Sequence, residues 1–182
     1  MDMRQDEILD FWFRELTPEQ WFQDGEQLDS TIAARFGELH EEAVSGRLES
    51  WAATPLGRLA LILVLDQFSR NIHRGTARAF ETDAKAQQLT LDGIAAGMDE
   101  KLAFAQRQFF YMPLMHAEDP VLQAKSIERF TALKAYAEMT LKFAESHRAE
   151  VERFGRFPHR NEAIGRASSA EERDHIAATA DY

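Results

Sequence analysis

An all-α fold is predicted by three features of this 182-residue sequence. Helix start and stop signals recur along its whole length, apolar residues repeat at intervals of three and four, and no segment alternates apolar and polar residues as a half-buried strand does. The expected architecture is a multi-helix array of eight or nine helices without a sheet, with adjacent pairs forming antiparallel hairpins. Identities at the 34-residue period of tetratricopeptide units are not visible.

The first helix is expected over residues 4 to 16, where Ile8, Phe11, Trp12 and Glu15 fall at helical spacing. "TPEQWF" then carries Thr17 as a helix cap, Pro18 at the first helical position and Gln20 where a capping box needs it. Leu28, Ile32, Phe36, Leu39 and Ala43 describe an amphipathic helix closed by Gly46. Thr54-Pro55 opens a helix to about Asn71 that is apolar nearly all round from Leu59 to Leu65, which places it at the centre of the protein. Thr76 is expected to cap a helix that stops at Gly97, and another runs from Asp99 to Pro113. Asp119-Pro120 starts a helix carrying Val121, Ile127, Phe130 and Leu133, a further one ends near Phe154-Gly155, and Ser168 with Glu171 signals a last short one.

Length and composition fit one globular domain over residues 1 to 182, with 45% hydrophobic and 29% charged residues. Cysteine is absent, which excludes disulfides, a thiolate nucleophile and Cys-based metal sites. The start has no basic region followed by a long apolar stretch, and the longest strongly apolar run, "LALILVL", is far short of the roughly 20 residues of a membrane span. The chain is therefore expected to be cytoplasmic, with no membrane partner. A net charge of −10 repels nucleic-acid phosphates, and no zinc-finger, RNP or helix-turn-helix signature offsets it.

Against this acidic background two segments are basic. "LDQFSRNIHRGTAR" (65–78) has a net charge of +2 and "RFGRFPHRNEAIGR" (153–166) has +3, leaving −15 on the other 154 residues. All of this positive charge is arginine, although the chain has five lysines. A guanidinium presents a planar fork that matches a carboxylate or phosphate bidentately. Arg70 and Arg74 stand one helical turn apart, with Asn71 beside them. Two readings follow. The arginines pair with the chain's own carboxylates, as Asp66 four residues before Arg70 suggests, or they form an anion pocket with His73 and His159 at its edge.

The candidate ligand-binding residues are Asp66, Arg70, Asn71, Arg74, Arg156, His159, Arg160, Asn161 and Arg166. Candidate proton-transfer groups are His116, Glu118 and His147, because imidazole and carboxylate exchange protons near neutral pH. His147 lies between Phe143 and Val151 at helical spacing and is expected on a buried face, whereas Asp119 is expected to cap a helix. No H-E-x-x-H, Gly-rich phosphate loop or G-x-S-x-G elbow occurs, so no metal site and no cofactor are indicated.

The blocks "ILDFWF" (8–13), "LALILVLDQFSRNIHRGTARAFETDAKA" (59–86), "FFYMPLMHAEDPVLQ" (109–123) and "HRAEVERFGRFPHRNEAIGR" (147–166) resemble the uncharacterised, largely bacterial family known as domain of unknown function 924. The resemblance spans nearly the whole chain. It implies a tetratricopeptide-like all-helical fold and supplies no reaction. The family blocks coincide with Asp66, Gln67, Arg70, Asn71, Arg74, His116, Glu118, Asp119, His147, Arg156, His159, Arg160, Asn161 and Arg166. Ala117 stands where many relatives carry serine, so no hydroxyl nucleophile is available there. Two functions are expected from these features: a pocket for a small phosphate or carboxylate anion, or a helical scaffold whose concave face holds a protein or peptide. A homodimer is open under either.

Overall fold

The computed structural model describes residues 2–22 and 25–179. Among them are helices and short 3-10 turns and no strand, as the helix punctuation requires. The chain divides into two compact units, Met1–Leu133 and Lys134–Tyr182.

In the first unit, α1 (Met3–Asp10) is capped by the Asp2 carboxylate, which accepts from the Arg4 N–H, and it runs on through a π-helical turn, Phe11–Glu15. The Leu16 N–H reaches back five residues to the Phe11 carbonyl to close that turn. The expected helix at "TPEQWF" is instead a pair of tight turns, Thr17 to Gln20 and Glu19 to Phe22. Gln20 does accept from the Thr17 N–H at 2.8 Å, and the Trp21 indole N–H donates to the Trp12 carbonyl at 2.7 Å, so this chain reversal folds back onto α1.

Helix α2 spans Glu26–Val44. Thr54 then caps α3, which is assembled without a break from Pro55–Ile62, a second π-helical stretch Leu63–Phe68, and Ser69–Ile72. Residues 59–65 are at most 1% exposed, so α3 is the central helix that its all-round apolar sequence predicts. Around it Phe36 stacks on Phe68 at 4.9 Å, Phe11 meets Phe36 at 5.1 Å, and Trp12 meets Phe109 edge-on at 5.3 Å.

Thr76 precedes a 3-10 turn, Ala77–Phe80, rather than capping a helix; its hydroxyl donates back to the His73 carbonyl, and α4 starts later, at Asp83–Ala95. Asp99–Lys101 is likewise a 3-10 turn before α5, Phe104–Met115. Helix α5 passes through Pro113, since a proline so close to the helix end removes a single bond. Gly93 on α4 lets Phe110 of α5 pack closely against that helix. A Cβ there would press on the Phe110 ring and stand 2.8 Å from Arg58 Cδ.

Helix α6, Pro120–Phe154, is one helix of 35 residues where two were expected. No glycine or proline interrupts residues 121–154, and good helix formers fill them, so nothing stops the helix. In the second unit it ends at Gly155, which takes the left-handed φ of 68°. A 3-10 turn, Pro158–Arg160, and α7, Ala170–Ala178, follow. These are seven helices in all among the described residues.

The cap of α7 is Ser169 with Glu172, one residue beyond the expected Ser168 and Glu171. Glu172 is 2% exposed and holds Arg156, whereas Glu171 faces outward and pairs with Arg153 at 2.7 Å. Burial of the third-position carboxylate selects the register. Among the described residues no helix is long and apolar enough to cross a membrane.

Candidate functional site

The π-helical stretch of α3 carries Asp66, which is 0% exposed. A buried carboxylate needs donors, and Asp66 has three. Gln67 Nε2 donates at 2.6 Å, Arg70 Nη1 at 3.1 Å, and His116 Nδ1 lies 2.8 Å from Oδ1. Arg70 reaches further, with Nη1 and Nη2 each 2.8 Å from the two oxygens of Asp83, and its guanidinium sits over the Phe80 ring at 5.5 Å. The structure therefore brings together Asp66 and Arg70 of one family block and His116 of another. With its Nδ1–H on Asp66, neutral His116 carries its lone pair on Nε2. Glu118 is exposed and is not among the polar partners of Asp66. Asp119 accepts from the Val121 and Leu122 N–H groups at the start of α6, which is the expected capping role.

One turn on, Arg74 forks onto Asp29 of α2, with Nε at 2.6 Å and Nη2 at 2.9 Å, and Asn71 Nδ2 donates to the same carboxylate at 2.8 Å. These donors hold the Asp29 carboxyl below its ordinary range, Arg74 contributing most.

The second arginine segment lies in the other unit and has its own partners. Arg156 grips Glu172 bidentately at 2.7 and 2.9 Å and also donates to the Ala167 carbonyl. Arg156 and the Ser169 N–H push the Glu172 carboxyl down to about 2. The buried Asn161 donates to Ser168 Oγ at 3.0 Å and to Glu172 at 3.3 Å. Arg160 stacks over Phe157 at 4.4 Å, and Arg166 donates to the Phe157 carbonyl at 3.1 Å.

Beside these arginines, and wholly within the second unit, is a cleft of about 890 Å³ lined by Met139, Lys142, Phe143, Ser146, His147, Glu150, His159, His175 and Thr179. His147 is exposed in it, not buried as its spacing predicts, because the flanking Phe143 and Val151 are themselves exposed. Its ring meets Phe157 edge-on at 5.7 Å. Glu150 takes His175 Nε2 at 2.8 Å and His159 Nε2 at 3.4 Å. The Thr179 hydroxyl donates to the His175 carbonyl, so at 3.0 Å it accepts from His159 Nε2–H. In the neutral form both rings thus carry their lone pair on Nδ1.

The profile of a family of bacterial proteins of unknown function, DUF924, matches residues 8–180. The chain belongs to this family. A solved structure of a protein of unknown function, ATU0120 from Agrobacterium tumefaciens, is 37% identical, with a TM-score of 0.68 over 96% of this chain and 97% of that one. No curated protein matches.

In this DUF924 protein the cleft gathers residues that sequence reading missed. His175 and Lys142 lie outside every family block, and Glu150 lies inside the block 147–166 without being singled out there. The available signal was spacing: Met139, Phe143, His147 and Glu150 recur at three and four residues along α6 and form one stripe.

Proposed function

We propose that this DUF924 protein binds a small anionic molecule, carrying a phosphate or carboxylate, in the histidine cleft of its second unit. The observation that carries this reading is the grouping of three of the chain's six histidines with Lys142 around one carboxylate. Lys142 supplies a fixed positive charge. The Nε2–H groups of His175 and His159 are held by Glu150 and Thr179, which fixes both rings in the cleft wall. Arg70, Arg74 and Arg156 already hold carboxylates of the chain and frame the helices around them, so the cleft and not the arginine forks receives the ligand.

Inorganic phosphate and citrate, titrated at low ionic strength, test the reading through the imidazole resonances of His147, His159 and His175. Saturable shifts, at least tenfold weaker in Lys142→Ala, are expected. Shifts that are absent for both anions, or identical in the variant, overturn it. A ligand at 100 times its dissociation constant adds about 2.7 kcal/mol to stability, so thermal unfolding gives an independent readout.

A further inference from the structure

The first unit holds two further histidines, His40 and His73, whose environment differs from that of the cleft. His40 projects from α2 and is 2% exposed. Its Nε2 lies 2.6 Å from Ser69 Oγ, which lies 3.0 Å from Thr82 Oγ1, and the Thr82 hydroxyl donates to the Leu65 carbonyl. Counting protons along this chain decides the tautomer. Thr82 has spent its proton on Leu65 and accepts from Ser69. Ser69, having given its proton to Thr82, accepts from His40 Nε2–H. Neutral His40 therefore carries its lone pair on Nδ1.

That Nδ1 is buried and has no hydrogen-bond partner in the protein, and the same is true of His73 Nε2. The two rings meet at 5.1 Å and 61°. Glu41 Oε1 stands 3.9 Å from His40 Nδ1, and one ligand atom from each of His40, Glu41 and His73 lies within 4.8 Å of the others. Buried polar atoms are ordinarily satisfied, and unpartnered nitrogens on two adjoining rings beside a carboxylate ask for a cation.

We propose that His40, His73 and Glu41 form a binding site for a divalent transition ion of the zinc type. Two imidazole nitrogens and a carboxylate suit zinc, cobalt, nickel or copper, whereas magnesium and calcium favour all-oxygen sets. Three protein ligands leave a fourth position to water. Bond lengths of roughly 2.0–2.2 Å require the donor atoms to close by about 1 Å, which the exposed Glu41 side chain can supply. The Ser69–Thr82–Leu65 relay orients His40 as an outer shell orients a metal-bound imidazole, and Arg78, 2.8 Å from Glu41, positions the carboxylate through one oxygen. Burial holds both imidazoles below their ordinary range, Arg78 acting in the same sense and Glu41 opposing it at both rings, with Glu81 also opposing it at His73. The histidine pair of the cleft is unlike this one, because its inward nitrogens are already donated to Glu150 and Thr179.

Cobalt(II), titrated into the full chain without an affinity tag, tests the site through its visible d–d absorption. One equivalent is expected to bind, displaced by zinc but not by magnesium. Glu41→Gln, at an exposed position, and His73→Gln, at a partly buried one, should weaken binding at least tenfold with unchanged circular dichroism, while His175→Gln leaves it intact. No cobalt binding, binding that survives both first-unit variants, or binding lost in His175→Gln overturns the proposal.

Discussion

His116 Nδ1 meets Asp66 Oδ1 at 2.8 Å across fifty residues of sequence, and the carboxylate it touches is wholly buried. Asp66 is also held by Arg70, which joins it to Asp83. One acid therefore ties the centre of α3 to the end of α5 and, through Arg70, to the start of α4.

Removing that acid should be costly. Asp66→Ala leaves Arg70 and His116 without a buried partner, and breaking such a group costs about 3–5 kcal/mol. Urea unfolding is expected to show a lower midpoint at unchanged slope. In a double-mutant cycle with His116→Ala, a coupling near zero would mean that the contact contributes nothing.

Stability should fall between pH 7.5 and pH 5.5. Burial is the largest influence at both rings and lowers the proton affinity of His40 and His73 in the folded protein. The unfolded chain then binds more protons, so their contribution is present above the unfolded imidazole range and is lost as pH falls through it. Arg78 reinforces this, while Glu41 at both rings and Glu81 at His73 oppose it. Chemical denaturation at the two pH values should give a loss that His40→Gln reduces; a profile identical in the variant would assign the loss to other groups.

Gly93→Ala should destabilise, against the usual helix preference. Alanine gains about 1 kcal/mol in a helix. Here its Cβ meets Phe110, itself fully buried, and the Arg58 stem, and overpacking costs about 1–3 kcal/mol. A raised thermal midpoint would show that the α4–α5 contact relaxes.

Ser169→Ala should open α7 by about 1 kcal/mol, since its hydroxyl accepts from the Glu172 N–H at 3.1 Å. Ser168→Ala should cost less, because that hydroxyl serves Asn161. Amide exchange over Ala170–Ala178 separates the two; faster exchange in the Ser168 variant would move the cap one residue back.

Much of the fold was readable because it is local. The all-round apolar run at 59–65 meant a central helix, and Thr54-Pro55 meant its start, as found. Errors came where a local signal had two outcomes. "TPEQWF" satisfies a cap in either a helix or a turn, and Ser168 and Ser169 are equally good caps until burial of Glu172 chooses between them. At the candidate site, the choice of arginine pointed to forked contacts with oxygen acids, which Arg70, Arg74 and Arg156 all make.

By itself, then, the sequence determined the helical class, the central helix and the chemistry that its arginines seek, because capping, periodicity and side-chain valence act within about four residues. Only the tertiary structure decided the partners. Asp29 reaches Arg74 across 45 positions, Asp66 reaches His116 across 50, and Glu150 reaches His175 across 25. The acidic residues of this chain offer many chemically equal partners for each cation, and packing of the helices selects one by bringing it within hydrogen-bonding distance while the others stay in water.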